Sequence, residues 1–350
     1  MALDKDQLWE TLDSLWADGD VKVLPTRGKK LAIVSDTHMG NGREADNFHD
    51  NLKAFVKALD YYDRNEYTLI LLGDIEELWQ FDLVEIVRQY GSDIYSRIKT
   101  FNERGVHRIF GNHDLEWGGI WDPTRKEVDM SVFASEALKL RDHKGDVRFM
   151  LVHGHQGSPE SDKYTWFSRF WVRMFRFVEP LTNIFGLFGN KSATQSSVTK
   201  DFEKTFYSWA KSRKVILVLG HSHRAIFASK SYAETLQEQI ADLKEQKRAF
   251  DDSAKRREIQ RQIDEKQSEW EHEKERDRVI DAVDPGVEPL PCYFNSGCGL
   301  YTDGMTALEI DDDNIRLVKW DNHKTVGNQY RDVLVKGLIS DLVRKVEASG

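Results

Sequence analysis

The sequence predicts an α/β protein, and three observations support that fold class. Short aliphatic runs such as "LAIV", "LILL" and "VILVL" recur along the chain and are apolar throughout, as in strands buried on both faces. Helix-like segments at 48–62 and 82–99 lie between the first of these runs. The chain has 350 residues, 40% of them hydrophobic, which is enough for a large core. We therefore expect one large domain with insertions, or two domains.

The elements are predicted in the following order. An acidic amphipathic helix covers residues 1–24, and the main domain covers 25–330. The first five strands are expected in "KLAIVSDTH", "YTLILLGD", "VHRIFGNHD", "VRFMLVHGH" and "KVILVLGHSH". From Cys292 onward the strands "CYFNSG", "MTALEI" and "NIRLVKW" follow one another with turn residues between them, which predicts antiparallel hairpins and a second sheet. Residues 331–350 are interpreted as a C-terminal helix.

Two segments interrupt this rhythm and are interpreted as inserts. Residues 158–212 begin with aromatic residues mixed with arginines, and within this cap insert residues 164–188 are suited either to a lipid or membrane surface or to packing on their own core. Residues 231–282 are highly charged, with apolar residues at heptad-like spacing that break phase at "DDSAK". This break favours an antiparallel helical hairpin over one long solvated helix. Its outer face is predicted to contact a protein partner or a second copy of the chain.

Composition narrows the function classes. The net charge is −9, which argues against a surface built to bind nucleic acid. The first residues lack the basic and apolar regions of a signal peptide, and no apolar run reaches the roughly 18 residues of a membrane span. We expect a cytoplasmic protein, peripheral to the membrane if the cap binds lipid. Cys292 and Cys298 match no common zinc spacing and are expected to be small buried residues.

Potential metal ligands follow each of the first five predicted strands. They are Asp36, His38, Asp74, Asn112, His153, His221 and His223. The carboxyl ends of strands in an open α/β sheet form one rim, so these side chains can converge. In Asp-x-His the two ligands face the same side of an extended chain. A ligand set without thiolates favours manganese, iron, zinc or nickel over a closed structural zinc site.

The blocks "SDTH", "GDIEE", "GNHD", "VHGH" and "GHSH" resemble, in order and spacing, the signature of the calcineurin-like metallophosphoesterases. The resemblance spans residues 31–224 and implies a four-layer α/β/β/α sandwich with two divalent metal ions, manganese being the first choice. By this resemblance one ion takes Asp36, His38, Asp74 and His223, and the other takes Asp74, Asn112, His153 and His221. Asp74 would bridge the two ions.

The same resemblance implies hydrolysis of a phosphoester substrate by a water activated between the two cations. His113, next to the ligand Asn112, would then protonate the leaving oxygen or stabilise its charge. Either Glu77 or Asp114 would orient His113. Arg43 and Arg224 lie within a few residues of ligands and are suited to clamping a substrate phosphate, or are ordinary surface arginines.

The substrate is left open by the sequence. "GDIEELW" is similar to the second block of UDP-2,3-diacylglucosamine pyrophosphatases, but their third block typically has an arginine where this chain has His113. A pyrophosphate leaving group departs without an acid and an alkoxide does not, so phosphomonoesters, phosphodiesters and pyrophosphates on lipid- or nucleotide-linked substrates all stay open. The alternatives are a nuclease acting on DNA or RNA, disfavoured by the net charge, and a non-catalytic protein-interaction scaffold, disfavoured by the intact ligand set.

Overall fold

The structure is a computed structural model that describes residues 5–43, 46–117, 134–156, 193–250, 252–277, 288–322 and 330–349. Within these ranges the strands are β1 (Val23–Pro25), β2 (Lys30–Val34), β3 (Thr68–Leu72), β4 (Val106–Ile109), β5 (Ala134–Ser135), β6 (Ala137–Arg141), β7 (Val147–Val152), β8 (Ile216–Leu219), β9 (Ala225–Phe227), β10 (Lys230–Ser231), β11 (Tyr293–Ser296), β12 (Gly304–Asp311), β13 (Asn314–Asp321) and β14 (Arg331–Leu338). The α-helices are α1 (Lys5–Ala17), α2 (Leu52–Arg64), α3 (Leu83–Tyr90), α4 (Ser96–Thr100), α5 (Ala193–Arg213), α6 (Tyr232–Ala249), α7 (Ser253–Asp277) and α8 (Ile339–Ala348).

The described strands form two mixed sheets of seven strands each. Sheet I has the order β14-β13-β12-β2-β3-β4-β5, and sheet II has the order β1-β6-β7-β8-β11-β9-β10. In β2, Leu31 and Ile33 face the core shared by the two sheets, whereas Ala32 and Val34 face a second core under α2, α3 and α4. This explains why the strand is apolar at every position. Helices α1, α5 and α8 pack into the first core, so the predicted α/β sandwich of four layers is confirmed.

The parallel strands of both sheets determine where the predicted ligand residues lie. β2, β3 and β4 are parallel neighbours in sheet I, and β7, β8 and β11 are parallel neighbours in sheet II. The loops that follow these strands therefore emerge at one end of each sheet. Five loops, three from one sheet and two from the other, carry the predicted ligand residues.

Two strand predictions need correction. β11 does not belong to an antiparallel hairpin with β12, because it pairs in parallel with β8 in the middle of sheet II, where all four of its residues are buried. The hairpin β12–β13 instead extends sheet I, because β12 pairs antiparallel with β2. The predicted helix over 331–350 is also wrong in its first half, since Arg331–Leu338 form the edge strand β14 and only Ile339–Ala348 are helical.

Helices α6 and α7 form a hairpin whose contacts run antiparallel. Lys266 Nζ donates to Gln239 Oε1 at 2.6 Å near the base of the hairpin, and Lys247 Nζ donates to Gln260 Oε1 farther out. The buried residues between the helices are Ile240, Ile259 and Ile263. The outer faces of the hairpin are charged. Contact with a second copy or another protein through 231–282 stays a prediction.

Three further expectations concern the cap, the cysteines and membrane-spanning helices. Of the predicted cap, residues 157–192 lie outside the described residues, and so does the segment 164–188 proposed for lipid contact. Cys292 and Cys298 are both buried, as expected. Among the described helices, none is long and apolar enough to cross a bilayer.

Candidate metal centre

The sequence-predicted ligands come together at the ends of five strands. Asp36 and His38 follow β2, Asp74 follows β3, Asn112 follows β4, His153 follows β7, and His221 and His223 follow β8. Two groups of three have ligand atoms within 4.8 Å of one another: Asp36, His38 and His223 form one, and Asp74, His153 and His221 form the other. A third such group consists of His38, Glu77 and His113.

The backbone at these positions is strained in a common way. Asp36, His38, Asp74, His221 and His223 all have φ between 48° and 64°, in the left-handed region. Each such residue costs of order 1–3 kcal/mol and persists only where the surrounding structure requires it. The loops turn sharply here, and the concentration of strain in the residues with ligand chemistry is typical of a functional site.

The loops also pack closely against each other. A Cβ on Gly111, which precedes Asn112, would lie 2.1 Å from Oδ1 of Asp74. The backbone N–H of His113 donates to that same oxygen at 2.8 Å. Only a glycine lets the loop after β4 approach the carboxylate of Asp74 this closely.

The distances and one unpaired atom fit a cation site. His153 Nε2 lies 3.0 Å from Asp74 Oδ2, and His223 Nε2 lies 3.3 Å from Asp36 Oδ1. Among the described residues around these atoms, Asn112 Oδ1 is buried without a hydrogen-bond partner. A buried polar atom left unpaired costs about 1–3 kcal/mol, so a cation that accepts a lone pair of this oxygen accounts for it.

Outer contacts fix which histidine nitrogen faces the clusters. His153 Nδ1 is 2.8 Å from the carbonyl oxygen of Leu72, and His38 Nδ1 is 2.9 Å from Glu77 Oε2. With Nδ1 carrying the proton that is donated, Nε2 of each ring is the nitrogen available to a metal. The Asp36 carboxylate is held in turn by the backbone N–H of His221, at 3.0 Å.

Electrostatics couple the buried groups. Burial alone would lower the pKa of His38 and His153, but the neighbouring carboxylates raise it to about 9 for His38 and about 10 for His153. Burial alone would raise the pKa of Asp36 and Asp74, but the positive charge of His153 holds the pKa of both below its ordinary value. Burial and the charge of His153 lower the pKa of His221 to about 3. The site therefore favours charged carboxylates that attract positive charge, whether protons or cations.

His113 is held beside this rim by residues of the loop after β3. Its Nδ1 lies 2.8 Å from Glu77 Oε1, and its ring stacks on Trp79 with ring centroids 4.1 Å apart. Burial would raise the pKa of Glu77, but the charges and hydrogen bonds of His113 and His38 lower it to about 2. Glu77 is therefore an ionised carboxylate shared by a predicted ligand and the predicted acid.

Asp114 does not contact the ring of His113 in the way the sequence suggested. Its Oδ1 accepts from the backbone N–H of Gly111 at 2.6 Å, and its Oδ2 accepts from the backbone N–H of Ile75 at 2.9 Å. Burial, followed by the charges of Asp74 and Glu76, raises the pKa of Asp114 to about 7. Asp114 thus ties the loops after β3 and β4 together, and Glu77 is the carboxylate that contacts His113.

The two predicted phosphate-binding arginines are placed differently. Arg43 is exposed on the loop after β2, where its backbone N–H donates to Asn41 Oδ1 at 3.3 Å. Arg224 follows His223, and its Nη1 donates to the buried carboxylate of Glu203 on α5 at 2.5 Å. One edge of the Arg224 guanidinium is therefore already engaged. Contact of either arginine with a phosphate stays a prediction.

Sequence reasoning missed several supporting residues. Arg108 is buried and donates to both oxygens of Glu76, at 2.5 and 2.9 Å, and Glu76 lies in the loop that carries Asp74. Ser35 donates to Asp36 and lies 2.6 Å from Ser296 Oγ, so the "NSG" strand supports the first block. The motifs "GDIEELW" and "FNSG" contain Glu76 and Ser296, but a motif alone does not show which residues its side chains will hydrogen-bond in the fold.

The family comparison agrees with the geometry. The family model described as the calcineurin-like phosphoesterase superfamily domain matches residues 30–237. No curated protein matches. Among solved structures, a conserved uncharacterized protein from Streptococcus pneumoniae TIGR4, a predicted phosphoesterase, is similar at 11% identity and a TM-score of 0.31, covering 87% of this chain and 96% of that chain. At so low a TM-score only the family match, which covers more than half of the chain, supports an assignment.

Proposed function

This chain belongs to the calcineurin-like phosphoesterase superfamily and is a metal-dependent phosphoester hydrolase, and we propose that its rim residues hold two divalent cations. The observation that carries the proposal is the pair of ligand groups, one containing Asp74 and the other containing His38, whose ring lies close to the Asp74 carboxylate. Asp74 Oδ2 is 3.0 Å from His153 Nε2 in one group and 3.8 Å from His38 Nε2 in the other. A single carboxylate within reach of both groups is suited to bridging two ions.

The assignment of ligands follows these groups. Asp36, His38, Asp74 and His223 would hold one ion, and Asp74, Asn112, His153 and His221 would hold the other. The donors are imidazole nitrogens and carboxylate or amide oxygens, which suit manganese first, with iron, zinc or nickel as alternatives. When bound, two such ions lower the pKa of a water molecule and stabilise the negative charge that develops on a phosphoryl group.

The proton chemistry falls to the chain itself. Glu77 accepts the hydrogen bond of His113 Nδ1, so Nε2 is the nitrogen that can give a proton to the departing oxygen. The His113 side chain is 21% exposed at the edge of the buried cluster, whereas Glu77 is 8% exposed. The acid therefore reaches solvent and substrate while the carboxylate that orients it stays protected from water.

The presence of a positioned acid bears on the substrate class. An acid accelerates most the expulsion of a basic alkoxide, which favours ordinary phosphomonoesters or phosphodiesters over a pyrophosphate bond. A lipid- or nucleotide-linked leaving group is compatible with this chemistry. The proposed lipid contact through 164–188 rests on the sequence alone, because that segment lies outside the described residues.

The test compares Asp74→Asn with Asp142→Asn, two substitutions of buried aspartates. Asp142 lies in the turn between β6 and β7 and accepts the backbone N–H of Lys144 and Asp146, so its substitution should leave metals and turnover unchanged. We expect about two metal ions per chain in the native protein. We also expect loss of both ions and of bis-p-nitrophenyl phosphate turnover in Asp74→Asn. Full activity in a chelator-stripped sample would refute the proposal, and a supercoiled DNA nicking assay separates the nuclease alternative.

A further inference from the structure

We propose that Trp79 is a positioning residue that sets the orientation of the His113 ring and thereby controls which leaving groups the enzyme can expel. The inference rests on the proposed function, because it concerns the residue assigned there as the acid. It goes beyond that assignment by naming a second residue, an indole that is not itself a metal ligand. This residue would determine how efficiently His113 donates its proton.

The ring of His113 is enclosed by two aromatic neighbours. The indole of Trp79 lies nearly parallel to it, with centroids 4.1 Å apart and an angle of 22° between the planes. The ring of His38 meets it edge-on, with centroids 4.6 Å apart at 82°. A rotation of the His113 ring about its Cβ–Cγ bond would therefore run into one ring or lose contact with the other.

Trp79 is itself anchored to the loop that carries His113. Its Nε1–H donates to the carbonyl oxygen of Asn112 at 2.7 Å. The preceding residue, Leu78, donates its backbone N–H to the carbonyl oxygen of His113 at 3.1 Å. Trp79 and its neighbour Leu78 are thus hydrogen-bonded to Asn112 and His113. The plane of the indole therefore determines the plane in which the imidazole of His113 can lie.

Glu77 and Trp79 restrict different motions of the same ring. The hydrogen bond from Nδ1 to Glu77 fixes one atom but leaves the ring free to tilt about that contact. The stacked indole fixes the plane. Together with the backbone hydrogen bond from His113 to Asp74, they leave Nε2 with one position. A displacement of about 1 Å can cost about 100-fold in rate, so loss of the indole should matter where proton donation matters.

The competing explanation is structural. Because Trp79 also holds the carbonyl of Asn112, its removal could displace a predicted ligand instead of the acid. That would lower metal content and would slow all substrates alike. The two explanations therefore predict different dependences on the leaving group.

The experiment compares Trp79→Leu and Trp79→Phe on a series of phosphodiesters from p-nitrophenyl to alkyl leaving groups. Leucine removes the stacking face, whereas phenylalanine keeps a smaller aromatic face and loses the N–H. For Trp79→Leu we expect kcat/KM to fall about 10- to 100-fold for the most basic leaving group and less than about threefold for p-nitrophenyl. Trp79→Phe should stay close to the native protein, with metal content unchanged in both. Trp9→Leu on α1, which removes an indole far along the chain, is the matched control.

Two further measurements show whether Trp79 acts through His113. Adding Trp79→Leu to His113→Ala should cause no additional loss, because neighbours that act as a unit are not additive. In metal-free protein, the His113 ring signal in an NMR spectrum should lose its ring-current shift in Trp79→Leu and keep it in Trp79→Phe. Equal losses across the leaving-group series, additive losses, or an unchanged ring signal would each overturn the inference. Failure of the native protein to hydrolyse any phosphoester would instead overturn the proposed function, while the NMR comparison would still test the stacking.

Discussion

Metal uptake by the metal-free protein should release about two protons per chain at pH 7. In the absence of cations, burial would lower the pKa of His38 and His153, but contacts with Glu77, Asp74 and Asp36 raise it to about 9 and about 10 respectively, from an ordinary value of 6.5. Both rings are then almost fully protonated at neutral pH. A metal ligand must be neutral imidazole, so each ring has to give up its proton when the cation arrives.

The other two proposed histidine ligands should contribute no protons. Burial, and then the charge of His153, lower the pKa of His221 to about 3. Burial is also the largest cause of the lowered pKa of His223, although Asp36 opposes it. With two protons displaced, the overall affinity for two ions should rise about 100-fold per pH unit between pH 7 and 9, tenfold for each proton. Above about pH 10 this dependence should disappear.

The same raised pKa values determine the stability of the metal-free fold. A histidine whose pKa is higher in the folded state than in the unfolded chain stabilises the fold fully below pH 6.5, and this contribution is lost as pH rises through about 9 for His38 and about 10 for His153. The metal-free protein should therefore lose thermal stability from pH 7 to pH 10. The metal-bound protein, in which these protons are absent, should lose less.

Isothermal titration calorimetry with manganese in two buffers of different ionisation enthalpy measures the number of protons released. His143→Gln is the control, because its ring is partly exposed and its nearest described acidic neighbour is Asp313, away from the ligand groups. Equal heats in the two buffers at pH 7 would mean that no proton is displaced. That result would refute the assignment of His38 and His153 as protonated residues that become ligands.

Three other changes test the packing around the site. Gly111→Ala should lower the metal content, because the new Cβ would lie 2.1 Å from Oδ1 of Asp74. Arg108→Met should destabilise the fold by about 3–5 kcal/mol in urea denaturation, because it leaves the buried carboxylate of Glu76 without its bidentate partner. Replacing residues 244–258 with a short Gly/Ser linker should keep fold, metal content and turnover, because the hydrogen bonds described for that segment all lie within the hairpin.

Each of these changes has a control or an opposing result. Gly19→Ala adds a methyl group where no atom lies within 4 Å, so it should leave metal content unchanged. Combining Arg108→Met with Glu76→Gln should recover part of the lost stability, because the double variant no longer buries an unpaired charge. A shortened hairpin that loses its metals would show that the hairpin is needed to form the core.

The fold class could be predicted because a strand that is buried on both faces has apolar residues at nearly every position of its sequence. Every residue of β3 is buried, and after Thr68 its run "TLILL" is entirely aliphatic. The place of β11 could not be predicted in this way, because the letters "YFNS" do not show whether a strand pairs in parallel with β8 or antiparallel with β12. In the edge strand β14 the exposed residues are Val333, Lys336 and Leu338 and the others are partly buried, a spacing that is also compatible with an amphipathic helix.

The candidate site shows the same division between local and tertiary information. That Asp36 and His38 would stand at a strand end followed from their position after an apolar run. The partner of Arg224 could not be predicted, because Glu203 comes from a helix 21 residues earlier in the chain. Likewise Asp114 stands next to His113 in sequence, yet its oxygens are taken by two backbone N–H groups, one of them from Ile75.

The segment from Asp74 to Trp79, which follows β3, contains three residues that contact the proposed ligands or the proposed acid. Asp74 reaches both ligand groups, Glu77 hydrogen-bonds His38 and His113, and Trp79 stacks on His113. A substitution at Glu77 should therefore disturb metal binding and proton donation together, since one carboxylate serves a residue of each kind. Trp79 stacks on the ring of the proposed acid and reaches the proposed ligand Asn112 only through its backbone carbonyl, so changing its stacking face separates the two functions. Comparing variants at these two positions measures how far the acid depends on the metal ligands.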